Sequence, residues 1–307
     1  MFTKLIRKFS SNLPYNNINL IRSHSLNIRE NLSLEAFIFR HSDLIKQPTL
    51  LLWRNDRAIV IGKHQNFHKE CYMQRIEEDG VIIARRRSGG GAVYQDLGNS
   101  CFSFMTQIYD ESALPLDIKE VNNKIVLQAL KKKFGIKGEA SGRNDLVING
   151  KKFSGSAYQV DLGGKKALKK TLHHGTLLLD IQLQDVWRYL NPNKAKLKSK
   201  GIDSVISRVR NLKEIVPDIS HEAICDAIAE EFKNEYASIT PNVNSLEIQS
   251  PLDFDPKVRE IYNDISQDDW LFGETPKFTN NLETRFNWGI MDIFFQVEKG
   301  KNLFVLF

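Results

Sequence analysis

The chain has 307 residues, enough for one large domain and a smaller one, and its 41% hydrophobic content is that of a globular protein with a core. Lys and Arg outnumber Asp and Glu by 43 to 37, which favours an acidic or anionic partner. No zinc-finger spacing or RNA-binding signature points to nucleic acid and no apolar run is long enough for a membrane span. The three scattered cysteines, without a CxxC, support neither a disulfide framework nor a structural zinc site.

The first 25 residues differ from the rest. Lys4, Arg7, Lys8 and Arg22 precede the first acid, Glu30, while Phe2, Leu5, Ile6 and Phe9 recur at helical spacing. A basic, acid-free, serine-bearing amphipathic start is the pattern of a mitochondrial transit peptide, and residues 1–25 are assigned to one. From 31 to 40, Leu32, Ala36 and Phe39 lie on one helical face, so a helix packed on a sheet is expected. Leu50 to Trp53 and Ala58 to Ile61 read as strands around an Asn55-Asp56 turn. A helix follows over 70–78, then a short buried strand over 81–84.

That strand runs into Arg85-Arg86-Arg87-Ser88-Gly89-Gly90-Gly91-Ala92-Val93-Tyr94. Glycines let a backbone approach a ligand closely and offer successive N–H groups as an anion nest. The arginines add charge and forked donors beside it. A pocket for a phosphorylated ligand is expected, the alternative being a tight turn with solvated arginines. A strand over 101–105 and an amphipathic helix over 118–134 come next.

A second stretch, from Ser141 to Tyr158, carries Asn149-Gly150 between two β-prone runs, a strong hairpin signal. Strict alternation along the second strand puts Lys152 on the face of Ser154 and Ser156, a lysine among small residues with room for a ligand over it. His173-His174 opens a strand ending at Asp180; adjacent histidines cannot both face one pocket, so a metal pair is not expected. A short helix over 185–190 and the basic run KAKLKSK at 194–200 precede Arg208 and Arg210, and Ser220 reads as the N-cap of a helix to Tyr236. Residues 241–252 read as a linker, and 253–307 as a small domain with one helix and β-strands, abbreviated inside a hairpin. The main domain then spans 26–240.

No GxxxxGK[ST], GxGxxG, HExxH or GxSxG occurs, which removes P-loop, Rossmann, zincin and serine-hydrolase readings. The segments RRRSGGGAVYQDLGN, SGRNDLVINGKKFSGSAYQ, HHGTLLLD and KGIDSVISRVRNL, in this order, resemble the lipoate–protein ligase family, as do WRNDRAIVIGKHQN and WLFGETPKF. The resemblance implies an α+β fold: a mixed β-sheet catalytic domain of the biotin/lipoate-ligase type with packed helices, plus a small C-terminal α/β accessory domain. It implies activation of lipoate with ATP to lipoyl-AMP, then transfer of the lipoyl group to a lysine of a lipoyl domain. By matching motifs, Arg86 and Gly91, Ala92, Val93 and Tyr94 take the nucleotide, and Lys152 touches both lipoate and nucleotide as the catalytic group. Ser88, Asn99, Asp145 and His174 fall in matching motifs with less defined roles. Mg²⁺ is expected to arrive with ATP rather than on protein ligands.

Expected partners are lipoyl domains of 2-oxoacid dehydrogenase E2 subunits and the glycine-cleavage H protein, with the enzyme a monomer in the mitochondrial matrix. Gln95 departs from the family, many members of which carry a histidine there; glutamine cannot titrate near neutrality. Alternatives remain: a transferase using preformed lipoyl-AMP, an octanoyltransferase with Cys101 as nucleophile, a biotin ligase, or an inactive binder of lipoyl domains.

Overall fold

The computed structural model describes residues 16–108, 115–142, 144–163, 169–191, 209–236, 242–274, 278–298 and 301–306. The amphipathic start, Arg143, the basic run 194–200 and Arg208 lie outside them.

In chain order the main elements are β1 (Asn17–Ser23), α1 (Ile28–Arg40), β2 (Thr49–Trp53), β3 (Ala58–Ile61), β4 (Ile82–Arg85), β5 (Val93–Gln95) and β6 (Asn99–Gln107). Then follow α2 (Pro115–Phe134), β7 (Glu139–Ser141), β8 (Asp145–Ile148), β9 (Lys151–Asp161), β10 (Lys170–Leu178), α3 (His221–Tyr236), β11 (Asn242–Ile248) and α4 (Pro256–Ser266). The chain continues with β12 (Phe278–Phe286), β13 (Gly289–Glu298) and β14 (Lys301–Leu306). The architecture is the mixed α+β type the sequence implies. An eight-stranded sheet has the order β11-β1-β2-β6-β10-β9-β8-β7. Its pairs β11–β1 and β1–β2 are parallel, and the others antiparallel.

Alternation along the strands divides the core between two faces. Leu50, Leu52, Phe102, Phe104 and Leu177 pack under α2 and α3. Leu51, Trp53, Cys101, Met105 and Leu172 face α1 and α4. A small sheet, β4-β3-β5, covers the second face, with β3–β4 parallel and β3–β5 antiparallel. The strands expected on either side of Asn55-Asp56 thus belong to two sheets rather than one hairpin.

Three boundaries drawn from sequence move. The leader assigned to residues 1–25 overlaps β1, which lies inside the large sheet between β11 and β2. Ile18 and Ile21 of β1 are fully buried on opposite faces, and each such burial stabilises by about 1.5–3 kcal/mol. Basic composition drew the boundary, but a strand with Asn19 buried against Thr49 is part of the fold. The linker assigned to 241–252 contains β11, whose parallel pairing with β1 shields the sheet edge. Polar residues suit an edge strand and hid it. The helix beyond is no separate domain either: Val258, Ile261 and Ile265 of α4 share one cluster with Ile28, Phe37 and Ile38 of α1. Finally, β14 pairs antiparallel with β13, so the strands after 278 form a three-stranded sheet, not a broken hairpin.

Candidate active site

The three arginines at the head of the glycine run do three different things. Arg85 is 1% exposed. Its guanidinium donates to the carbonyls of Lys63 and Gln65 at 2.8 and 2.7 Å and to Leu271 O, tying the loop after β3 to the segment after α4. Arg86 bends back onto its own loop, donating to Gly89 O at 2.8 Å, Gly91 O at 2.7 Å and Val60 O at 3.2 Å. Burial lowers its pKa to about 10, so it stays a cation. Arg87 lies over the Trp270 ring at 4.7 Å, a cation–π contact. With the loop carbonyls held by Arg86, the N–H groups of Gly89, Gly90 and Gly91 donate to no described residue. Gly90 and Gly91 line the cavity, so their N–H groups are available to an anion there. Gly62 makes the close approach possible, because a Cβ there would sit 2.2 Å from Gly90 O.

The opposite wall is the β8–β9 hairpin. Asn149 and Gly150 have φ of 51° and 72°, the conformation Asn-Gly favours in a two-residue turn. The alternation expected for Lys152 is overturned by a bulge. Leu146 pairs with Ser154, but Val147 pairs with Lys152, which leaves Phe153 as the extra residue. Phe153 and Ser154 therefore both face the α2–α3 side, where Phe153 is fully buried. Lys152 turns to the other face and joins Gly155 and Ala157 rather than Ser154. Its Nζ lies 2.8 Å from Asp145 Oδ1, and a Cβ at position 155 would come within 2.9 Å of that Nζ.

Between the walls lies a cavity of about 210 Å³. Lys152, Asp145 and Gly155 line one end, the Arg86–Gly91–Val93 wall closes one side, and Trp53, Cys101 and Gln95 line the other end. Its floor is a cross-strand row, Asp145–Gly155–Thr176–Cys101–Trp53, running from β8 to β2. A wider groove of about 490 Å³ lies on the reverse of β5, around Tyr94, Asp96 and Asp185. The smaller cavity is the candidate site, because the glycine loop and the Lys152 hairpin face each other across it.

Of the expected site residues, Lys152, Asp145, Arg86, Gly91, Ala92, Val93 and His174 line this cavity. The Tyr94 side chain does not: alternation on β5 turns it away, and its hydroxyl donates to Asp185 at 3.0 Å. Asn99 is also outside, fully buried with Nδ2 donating to Tyr94 O; it joins β5 to β6. Ser88 is absent from the lining and reaches the site through a chain. Its Oγ is 2.6 Å from His174 Nε2, whose Nδ1 is 2.8 Å from Glu35 Oε1; the same oxygen accepts from Ser103 at 2.6 Å. All four residues are buried. With an ionised Glu35 the Nδ1 carries the proton, because a carboxylate oxygen only accepts. A serine–histidine–carboxylate row has the partners of an activated nucleophile. Here Ser88 is 2% exposed and does not line the cavity, so the row anchors the glycine loop to β10 instead.

Glu35 is the residue sequence reasoning missed. It lies one turn after Leu32, among the apolar positions of α1, and an acid on a core-facing stripe was the available signal. Cys101 lines the cavity, yet burial raises its thiol pKa strongly and no described base reaches it, which disfavours it as a nucleophile. Among the described residues no group of three or more His, Cys, Asp or Glu could hold a metal.

Residues 27–233 match the sequence model of the lipoyl protein ligase A/B catalytic domain. The chain belongs to this family. Within the lipoyl protein ligases, it is 41% identical to the lipoate-protein ligase A of Psychrobacter cryohalolentis over 289 residues, 92% of this chain and 80% of the relative. Among solved structures, P. falciparum LipL1 in complex with lipoate superposes with a TM-score of 0.70 at 36% identity, covering 92% of this chain and 81% of that one. A bipartite lipoate protein ligase from Thermoplasma acidophilum gives 0.69 at 24% identity, over 84% of this chain and 96% of that one, and shows the fold alone.

Proposed function

We propose that the chain is a lipoate–protein ligase that makes lipoyl-AMP in the cavity between the glycine loop and Lys152, then transfers the lipoyl group to a lysine of a lipoyl domain. The observation that carries this reading is the position of Lys152 at one end of the cavity, across from loop amides of Gly90 and Gly91 that donate to no described residue. The first step joins two anions: a lipoate carboxylate oxygen attacks the α-phosphorus of ATP, and pyrophosphate leaves. A protonated Lys152 beside both offsets their repulsion and the charge that develops. Asp145 holds that ammonium in place until substrate arrives. In the second step the acceptor amine attacks the acyl carbon, the bond to AMP oxygen breaks, and the amine loses a proton to solvent or phosphate. Lys152 polarises the mixed anhydride at this stage. Mg²⁺ travels with the ATP phosphates and neutralises part of their charge.

Relatives with these names support the reading: LipL1 is solved with lipoate, and the 41% identical relative is called a lipoate-protein ligase A. The acceptors proposed are lipoyl domains of 2-oxoacid dehydrogenase E2 subunits and the glycine-cleavage H protein. Intact-mass spectrometry tests this: purified protein, lipoate, Mg-ATP and a lipoyl domain should yield one lipoyl adduct on the target lysine. A domain modified only when lipoyl-AMP is supplied would make the protein a transferase instead. The mitochondrial address proposed for the basic start is tested by fusing residues 1–16 to a fluorescent protein, stopping short of β1. Diffuse fluorescence would refute it.

A further inference from the structure

The cavity holds a donor for which no described residue supplies an acceptor. Gln95 is 4% exposed and lines the cavity. Its Oε1 accepts from Asn55 Nδ2, and its Nε2 bonds to no described residue. The direction of this amide is decided at the far end of a buried chain. Asn31 Nδ2 donates to two main-chain carbonyls, Ser25 O at 2.8 Å and Arg54 O at 3.1 Å. Carbonyls cannot donate, so the Asn31 amide has one orientation. Its two N–H groups serve three acceptors, so one is shared between a carbonyl and Asn55, and an Nδ2 facing Asn55 at 3.0 Å requires Oδ1 there rather than a second NH₂. Asn55 must then use its own N–H toward Gln95, and Gln95 answers with Oε1. The Gln95 NH₂ is left on the cavity side.

Gln95 sits at the end of the cavity away from Lys152. Asn55 follows Trp53 by two residues, and Trp53 closes the cross-strand row on β2. Lys152 lies on β9, three strand spacings from β2, or about 14 Å. An acyl group whose carboxyl carbon lies at Lys152 therefore brings its tail to Gln95. Gln95 Nε2 is not among the fully buried atoms without a partner, so it opens onto the cavity; a ligand that excludes water from it leaves the N–H unpaired unless the ligand brings an acceptor.

We propose that Gln95 reads the tail of the acyl group, favouring a tail with lone pairs, such as the ring sulfurs of lipoate, over a plain hydrocarbon tail such as octanoate. This rests on the lipoate-ligase reading and adds the determinant of its substrate choice. A ring sulfur is a weak acceptor, so the preference attributable to Gln95 is about fivefold in kcat/KM.

The test is pyrophosphate release with lipoate and with octanoate as acid, in the wild type, Gln95→Met and Asn55→Asp, each checked for folding by circular dichroism. Gln95→Met keeps the volume and removes the donor. Asn55→Asp accepts from both Asn31 and Gln95, which turns the Gln95 amide over and points Oε1 into a cavity of unchanged shape. Both variants should lower the lipoate-to-octanoate ratio of kcat/KM by about fivefold. A ratio within about twofold of wild type in either folded variant overturns the inference while leaving the ligase reading intact. A wild type that activates neither acid overturns both.

Discussion

Gly155→Ala separates the position of Lys152 from its presence. Gly155 has no positive φ, so alanine fits the backbone, and the loss of chain entropy in the unfolded state favours the variant by about 0.4–1 kcal/mol. The new Cβ would lie 2.9 Å from Lys152 Nζ and 3.0 Å from its Cε. Carbon contacts settle near 3.5–4.0 Å, so the ammonium must move by roughly 0.5–1 Å. The lysine side chain is 40% exposed, so it can move without disturbing the core, and stability should change by less than about 1 kcal/mol. Chemistry is less forgiving: a displacement of ~1 Å at a reacting centre costs on the order of 10²-fold. We therefore expect pyrophosphate release with lipoate and Mg-ATP to fall about 100-fold in kcat/KM while the melting temperature stays within a few degrees. Activity within about twofold of wild type, in a protein of unchanged stability, would refute the argument that Gly155 exists to seat Lys152.

Two further substitutions test the buried polar groups. Glu35→Ala leaves the His174 and Ser103 donors without their acceptor, at about 1–3 kcal/mol each, and should lower the melting temperature by about 10 °C; no change would mean that the Ser88–His174–Glu35 row does not hold the loop. His173 is fully buried, neither of its nitrogens has a partner among the described residues, and burial lowers its pKa from 6.5 to about 3. The unfolded chain takes up a proton below about pH 6.5 and the folded one does not, so this share of stability is complete above that pH. It falls by up to about 1.4 kcal/mol per unit as pH drops toward 3. His173→Phe should remove that share, flattening the urea midpoint between pH 6.5 and 5; an unchanged slope would contradict it.

Much of the site was legible because its two walls are local in sequence. Asn149-Gly150 fixes its hairpin through the positive φ of both residues, and the glycines beside the arginines mark a loop packed closely on Arg86 and Gly62. The bulge at Phe153 was not legible, since it arises from a tertiary demand: a phenylalanine is drawn to the α2–α3 core, and the pairing of β8 with β9 yields by one residue. Strict alternation therefore placed Lys152 on the wrong face, although Lys152 does line the cavity. Glu35 escaped for a related reason. Its partners Ser103 and His174 are 68 and 139 residues away, and helical periodicity says nothing about what lies opposite. The strands β1 and β11 were hidden by composition, one in a basic segment and one in a polar segment. β1 finds its place between β11 and β2, and β11 pairs with β1 alone among the described strands.

The central claim is that Lys152 carries charge to the joining of carboxylate and α-phosphate, and pyrophosphate release by wild type and Lys152→Ala tests it most directly. With lipoate and Mg-ATP the wild type should release pyrophosphate in a lipoate-dependent burst. Lys152→Ala, folded by circular dichroism, should lose about 10²–10³-fold or more of that rate, as expected for removal of one preorganised charge. A folded Lys152→Ala that releases pyrophosphate at close to the wild-type rate would contradict the account.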